Sequence, residues 1–575
     1  MRNARHRVDF CVVGGGPAGL LAAVAAARHG AKVCLMQDRP VLGGNASSEI
    51  RMHICGAHGD NNRETGILEE IALENLHRNP YPSYAIWDSV LYGVAKQEPN
   101  ITLLLNCACN ALGMEGGRIA WVKGYQSTSE TWHQVEAPLF ADCSGDSVLA
   151  PLCGADFRIG REARCEHDED IEPEVADSQT MGMSCLVQAR ETDRYQPYVP
   201  PDWAHRYFSE DDLPHREHDM ASGSNYWWIE LGGEDDSIHD TEALRDELLK
   251  IAFGLWDHIK NQGDHGAANW ALEWVGFLPG KRESRRYLGD HIVTQNDVRA
   301  EGRFDDLVAY GGWTMDDHHP AGFRYPGQPT VFHPAPSPFG IPYRALYSRN
   351  VENLFFAGRN ISCTHVAMSA TRVMATCAIC GQAVGTAAAI AVREGTTPRG
   401  VYQSHLRSLQ ATLRDDDCYL PSSRRTVPEV TQRAAMSASS GDPEPLRNGL
   451  DRPIDGEDNG WLGAPGDWVA YRWPEPVQLS EARLIVDSDL NRRQKNMPCR
   501  FDLNAPPRHT PETVTRSLRI EALGEPDGWR TVARVADNWQ RMVRIPLDVT
   551  TRGIRLVPEG TWGAPEAHLF AFDVR

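Results

Sequence analysis

The stretch Val8-Asp9-Phe10-Cys11-Val12-Val13-Gly14-Gly15-Gly16-Pro17-Ala18-Gly19 decides the fold of the first domain. Val8–Val13 is a short apolar run, the pattern of a buried strand. Glycines follow, then an alanine-rich segment from Pro17 to His29 that reads as a helix with proline in its first turn. Gly30 stands where a helix C-cap is expected, and Lys32–Met36 is the next strand. Inside this strand–turn–helix–strand unit, Gly14, Gly16 and Gly19 fit G-x-G-x-x-G. Gly14 permits the tight turn, Gly16 lets the backbone approach a pyrophosphate, and Gly19 lets helix and strand pack closely. The helix start at Pro17 and Ala18 turns its N–H donors and positive dipole end toward that anion. The pattern alone is weak; between an apolar strand and a helix, with a second strand at the right distance, it specifies a dinucleotide site.

Such units place an acidic residue at the end of the second strand, about 20 residues after the glycines, to hold ribose hydroxyls. Here the strand ends in Gln37, with Asp38 next. Gln37 can bond a ribose as a neutral group and Asp38 can serve from one position later, so both stand as ribose candidates.

Farther on, Ile101–Leu105 and Pro138–Ala141 read as strands, Asn353–Ala357 as a buried strand of the parallel type, and Thr376–Arg393 as a long small-residue helix. Residues 161–339, rich in Trp, Pro and His without a clean period, are expected to form a mixed α+β insertion facing the substrate. Residues 421–445 are polar and rich in Pro and Ser, the composition of a linker. Beyond them Trp468–Arg472, Ala482–Val486, Ser517–Ala522, Met542–Ile545 and Gly553–Val557 alternate and are split by turns, as in an antiparallel β-sandwich. The expected division is 1–160 with 340–420 for the nucleotide domain, 161–339 for the insertion, 421–445 for the linker and 446–575 for the sandwich.

Size and charge bound the functions. A chain of 575 residues with 41% hydrophobic content suggests two to four domains. With 78 acidic and 58 basic residues the net charge is −20, which repels phosphate backbones and anionic membrane surfaces, so neither nucleic acid nor membrane is an expected partner. No apolar run is read as approaching the ~20 residues of a membrane helix, and no apolar segment after Met1 reads as a signal peptide. The 14 cysteines are scattered, as in a cytoplasmic protein with reduced thiols; a signal peptide removed before this numbering is the alternative.

Two more segments choose the dinucleotide: Gly43-Gly44-Asn45-Ala46-Ser47-Ser48-Glu49 and Asn353-Leu354-Phe355-Phe356-Ala357-Gly358-Arg359-Asn360. With the N-terminal glycines they resemble FAD-dependent oxidoreductases of the glutathione-reductase-like flavoprotein superfamily. The resemblance is to the bacterial family that carries the plain name FAD-dependent oxidoreductase, and it extends to Tyr226–Glu230, Gly280–Arg286, Ile341–Arg344 and His365–Met374. It covers most of residues 8–395 and implies an α/β Rossmann-like FAD-binding fold with a mixed α+β substrate insertion, which the alternating segments beyond it follow with an all-β sandwich domain. It also implies FAD as cofactor, with the pyrophosphate on Gly14–Gly19 and the ribityl chain near Gly358 and Arg359. Gly43, Gly44, Asn45, Ser48 and Arg51 would lie by the flavin, Asp146 of Asp142-Cys143-Ser144-Gly145-Asp146 by the adenosine half, and Thr376 and Gly381 on the helix aimed at the flavin. Many relatives carry Asp where this chain has Arg359, which alters the ribityl contact.

Oxidation of an alcohol over a flavin needs a base for the hydroxyl proton. His365, after the downstream glycine segment, is the first candidate; His53 and His58, after the Gly43-Gly44 loop, are catalytic, substrate-positioning or structural. Arg51, Arg282, Arg285, Arg286, Arg344 and Arg372 either clamp a carboxylate or polyhydroxylated substrate, Arg344 foremost, or pair with Glu49, Glu283 and their neighbours. Asp316-Asp317-His318-His319 reads as a cleft loop and no metal is expected, since adjacent positions rarely point to one ion. Cys377 and Cys380 form C-x-x-C, read as buried inert thiols over a redox pair.

Leu450–Gly456 and Trp461, with Trp539, Trp562 and the strand Phe570–Val574, resemble a galactose-binding-like (discoidin-type) sandwich, with either a sugar-binding or a structural and oligomerising role. Three functions stay open: dehydrogenation or oxidation of a polar hydroxylated small molecule, a carbohydrate or sugar acid; glycoside cleavage or epimerisation through transient oxidation; and carbohydrate binding with an inactive flavin domain. No second G-x-G-x-x-G follows a strand midway, so direct reduction by NAD(P)H on a dedicated domain is not expected; the electron acceptor is unknown, and a homo-oligomer is possible.

Overall fold

The computed structural model describes residues 1–524 and 528–575, apart from the side chain of Ser222. Five strands of four or fewer residues form one parallel sheet: β1 (Phe10–Val13), β2 (Val33–Met36), β3 (Ile101–Leu104), β4 (Leu139–Asp142) and β5 (Leu354–Phe356). Their order is β5-β4-β1-β2-β3. All but β3 are buried along their whole length, which is why their sequences are apolar runs without alternation. Helix α1 (Pro17–Arg28) follows β1, α2 (Thr241–Asp257) lies in the insertion, and α3 (Met374–Glu394) follows β5.

Alanine and glycine are needed where α1 crosses α3. A Cβ on Gly381 would lie 2.0 Å from the Ala18 carbonyl oxygen, and one on Gly385 would lie 2.1 Å from that of Ala22. The helices touch backbone to backbone, so Gly381 is a packing residue and does not face the cofactor as the resemblance implied. By length and composition α3 could cross a membrane, contrary to the reading of the sequence, but 94% of its apolar window is buried inside the protein.

The chain divides into two units that do not follow sequence order. The first comprises Met1–Ala57, Pro82–Leu409 and Lys495–Pro507; the second comprises His58–Tyr81, Gln410–Gln494 and Arg508–Arg575. Residues 58–81, expected in the nucleotide domain, thus belong to the second unit, and 495–507, expected in the sandwich, to the first. Within the first unit Phe501 donates its N–H to Ala189 O at 2.9 Å, Glu191 donates to Phe501 O at 2.8 Å, and Gln188 Nε2 donates to Pro498 O at 2.9 Å.

The second unit contains an antiparallel sheet built on β6 (Trp461–Gly463), β7 (Val469–Val486), β8 (Thr515–Gly524), β9 (Gly528–Val535), β10 (Met542–Thr561) and β11 (Ala567–Val574). Its order is β6-β11-β7-β10-β8-β9, with Ala435–Ala438 pairing to β7. Segments expected as separate strands are halves of two long ones. Trp468–Arg472 and Ala482–Val486 fall mostly on β7, which shifts register between Arg472 and Val477, where Pro474 and Pro476 lack N–H donors. Residues 421–445 do not form a plain linker, since Glu429–Gln432 is helical and Ala435–Ala438 is a strand.

Candidate functional site

A cavity of about 910 Å³ opens beside the ends of the parallel strands, and all of its lining residues belong to the first unit. This is at the upper end of the range for ligand clefts and occupies the place where open α/β sheets bind ligands. Gly14–Ala18, Gln37, Asp38, Gly44 and Asn45 line one wall.

The glycines divide their work by geometry. Gly14 has φ +101°, and a Cβ there would lie 2.4 Å from the Cys143 carbonyl group. A Cβ on Gly19 would lie 1.8 Å from the Gly14 oxygen, so Gly19 packs helix against turn and does not line the cavity. A Cβ on Gly16 would meet nothing nearer than Gly44 Cα at 3.9 Å, so the backbone there is open to a ligand. The first turn of α1 has no acidic residue and no side-chain cap, leaving its amides for an anion. Gln37 has a different role from the one expected: its Oε1 accepts from Gly15 N at 2.6 Å and its Nε2 donates to Val41 O at 3.3 Å, so it braces the glycine turn. Asp38 is exposed on the wall, 3.7 Å from Arg39. Gly43 donates its N–H to Gly15 O at 2.8 Å, joining the two glycine loops from behind the wall.

A charged bridge continues the wall. Asp146 receives Arg359 at 2.6 Å, Lys281 Nζ at 2.9 Å and Ser284 Oγ at 2.8 Å. Burial would raise its pKa, yet Arg359 and Lys281 hold it at about 2. Asp146 is thereby an anchor for two cavity cations. The Nε of Arg359 is buried and has no hydrogen-bond partner among the described residues, a donor left for a ligand. Val373, Met374 and Cys377 bring the uncapped start of α3 to the cavity, again with no acidic residue in its first turn. An open backbone at Gly16, two helix starts without a side-chain cap, an unmatched guanidinium and the cavity volume fit FAD.

The polar wall was not foreseen as a unit. Asp316 and His318 sit on the strand Met315–His318, paired with Thr330–His333. Alternation sends Asp316 and His318 to the cavity and Asp317 to the opposite face, which explains why this run cannot gather one metal ion. His319 stacks on Tyr325 with ring centroids 3.6 Å apart. His318 Nδ1 lies 2.6 Å from Glu230 Oε2 and its Nε2 3.3 Å from Asp316 Oδ2. Arg372 donates to Asp316 Oδ2 at 3.1 Å, while Arg282 donates to Ser184 Oγ at 2.8 Å and to Trp227 O at 2.9 Å. Despite burial, His318 and Arg372 keep the Asp316 carboxyl far below the usual range, so it is a carboxylate. Trp227 stands edge-on to His318, centroids 5.2 Å apart.

Several expected site residues lie elsewhere. His365 is buried off the cavity, with Nδ1 2.8 Å from Glu283 Oε2 and Nε2 3.2 Å from Asp317 Oδ1. Burial opposes its charge, but Glu283 and Asp317 raise its pKa well above the ordinary value, so it holds its proton and cannot serve as the base. Its helix start is embraced by buried carboxylates: Glu162 accepts from His365 N at 2.8 Å and Glu172 from Val366 N at 3.2 Å. Arg344 pairs with Asp306 at 2.9 and 3.0 Å, and Arg286 is buried against Glu162 and Glu283. Arg51 lies between the rings of Tyr84 and Trp274, at 4.5 and 4.6 Å, behind the cavity, as does Ser48, whose N–H donates to Asp88. Thr376 is buried in α3 and His58 belongs to the second unit; neither lines the cavity. His53 does line it, next to Cys499 at 3.5 Å; burial and then Lys495 lower its pKa to about 3, so it is a neutral hydrogen-bonding group and a poor base. Burial pushes Cys377 up to about 12 and raises Cys380 well above its ordinary value, which leaves both as thiols.

The sequence profile of the FAD dependent oxidoreductase family matches residues 9–413. The chain belongs to that family, and it is an FAD-dependent oxidoreductase. No curated protein matches it in sequence. Among solved structures, a geranylgeranyl bacteriochlorophyll reductase-like protein from Thermoplasma acidophilum is 11% identical, with 72% of this chain and 85% of that one covered and a TM-score of 0.34. The family 32 carbohydrate-binding module of Streptococcus pneumoniae EndoD is 15% identical over 26% of this chain and 97% of the module, TM-score 0.20. The family 32 module of C. perfringens NanJ, solved in complex with galactose, is 10% identical over 26% and 97%, TM-score 0.19.

Proposed function

We propose that the enzyme oxidises a polar hydroxylated small molecule, a carbohydrate or sugar acid, in the cavity between the glycine loops and the wall of Asp316, His318, Arg282 and Arg372. The observation that carries this reading is that wall: two guanidiniums, a carboxylate, an imidazole and the Trp227 ring line one cavity with the dinucleotide loop. Aromatic faces and fixed charged hydrogen-bonding groups are what a sugar's apolar face and hydroxyls require. FAD, when bound, supplies a two-electron acceptor.

Arg372 and Arg282 orient hydroxyl or carboxylate oxygens of the substrate. The Asp316 carboxylate accepts a hydrogen bond from the substrate hydroxyl, and His318, held at both ring nitrogens by Glu230 and Asp316, keeps that carboxylate in position. Arg359 and the start of α3 offset negative charge on the cofactor side. Neutral His53 accepts a hydrogen bond from substrate. All 14 cysteines are free, which supports placing the protein in a reducing cytoplasm.

The second unit is assigned a structural role in a galactose-binding-like fold. Trp461 is buried, Trp539 stacks on His77 at 4.1 Å and donates to Glu74 at 2.6 Å, and Trp562 donates to Asn538 O at 2.7 Å. The three tryptophans proposed for sugar stacking therefore have internal partners. The test is turnover of neutral sugars and sugar acids with an artificial electron acceptor. Oxidation of at least one, lost in His318→Asn while flavin content is kept, is the expected result; oxidation that His318→Asn leaves untouched would assign the chemistry elsewhere.

A further inference from the structure

Away from the cavity, three histidines and a glutamate converge. His218, His258 and His265 are buried, and with Glu210 they offer ligand atoms that all lie within 4.8 Å of one another. The Nε2 atoms of His218, His258 and His265 lie 3.1, 3.2 and 3.3 Å from the carboxylate oxygens of Glu210. Bonds of about 2.0–2.1 Å to a tetrahedral ion put neighbouring ligands roughly 3.3 Å apart, which the three glutamate–histidine spacings match, two to Oε1 and one to Oε2, while the remaining ligand atoms lie within 4.8 Å and would draw in around the ion.

The opposite ring nitrogens set the tautomers. Nδ1 of His258 faces Tyr207 O at 3.0 Å, Nδ1 of His218 faces Arg216 O at 2.5 Å, and Nδ1 of His265 faces Asp219 Oδ1 at 2.9 Å. A carbonyl or carboxylate oxygen there accepts a hydrogen bond from Nδ1–H, which keeps the proton on Nδ1 and turns each Nε2 lone pair inward. The Nε2 atoms of His218 and His265 have no hydrogen-bond partner in the described structure. Three inward lone pairs beside a carboxylate repel unless a cation joins them. The backbone favours the same arrangement: α2 ends in a π-helical turn, His258–Gln262, and such turns recur at functional sites.

We propose that Glu210, His218, His258 and His265 bind one zinc ion in a closed, structural site. Four protein donors of nitrogen and oxygen leave no open position, which separates it from catalytic zinc. The ion fastens the segment carrying Glu210 and His218 to the end of α2. The same segment supplies His215, Glu217, Asn225 and Trp227 to the cavity, so the metal holds a wall of the active site in place.

The test is elemental analysis of the purified flavoprotein, followed by chelation and titration with Zn²⁺ or Co²⁺. About one zinc per chain is expected, with visible bands of tetrahedral Co²⁺ after replacement. Chelation should lower the melting temperature and speed proteolysis between residues 205 and 228. Asp219→Asn, a change at an exposed outer partner, should weaken metal affinity about 10–100-fold, and Glu210→Gln should weaken it at least as much. Wild-type protein that purifies without metal and binds neither added ion would overturn the proposal. So would a bound metal whose affinity is unchanged in both variants.

Discussion

The glycine wall and the polar wall of one cavity were written in the sequence in different ways. Gly14–Ala18 are consecutive, and each backbone position follows from strand, turn and helix geometry, so a short motif announces them. Ser184, Trp227, Arg282, Asp316, His318 and Arg372 come from separated segments and meet only through tertiary structure. Cofactor sites built on backbone are local; substrate sites built on side chains are not. Replacements in each wall test that contrast.

Gly16→Val has the largest expected effect. Its Cβ has room, so the apoprotein should fold with near-native circular dichroism, yet no FAD should copurify because the side chain fills the ligand's approach. Retained stoichiometric FAD would show that the glycine wall is not the cofactor wall. His318→Asn comes next, with kcat expected to fall about 10²–10⁴-fold at unchanged flavin content.

His365→Gln should behave in the opposite way. Glu283 keeps Arg286 but loses one charged hydrogen bond, and the partly exposed Asp317 loses another, at a cost of roughly 1.5–3 kcal/mol of stability read by denaturant melts, while the flavin-loaded fraction keeps turnover within a few-fold. Because the folded pKa of His365 is raised, its stabilisation is fully present below the unfolded value of about 6.5 and is lost as pH rises through the folded value. A catalytic loss at full stability would restore His365 as the base.

Arg372→Met is expected to raise KM for an acidic substrate about 10–100-fold, the worth of a charge-assisted hydrogen bond of roughly 1.5–3 kcal/mol, with little change in kcat. Cys377→Ser should change least, with flavin reduction unaltered, since a thiol held near pKa 12 does not exchange electrons as a thiolate.

The parallel strands, α1 and α3 were legible within about two residues because apolar runs and small-residue helices are local signals. Gln37 was read as a ribose ligand because its position is usual for one; that its amide braces Gly15 depends on the turn's three-dimensional path. His365 was chosen for its nearness in sequence to Gly358, and no pattern announced that Glu283 and Asp317 would close on both ring nitrogens. Asp316 and His318 carried the one usable signal: residues two apart on a strand share a face, so the run Asp316–His319 could have been split by parity. The interleaving of 58–81 and 495–507 left no compositional mark, since each segment is polar and ordinary by itself.

The most direct test is the visible spectrum of the purified protein, followed anaerobically as sugars and sugar acids are added. The account predicts flavin bands that bleach with at least one hydroxylated compound, and that fail to bleach with it in His318→Asn. A protein without flavin that does not take up added FAD would contradict the cofactor assignment. Flavin bleached equally in wild type and His318→Asn would contradict the role given to the polar wall.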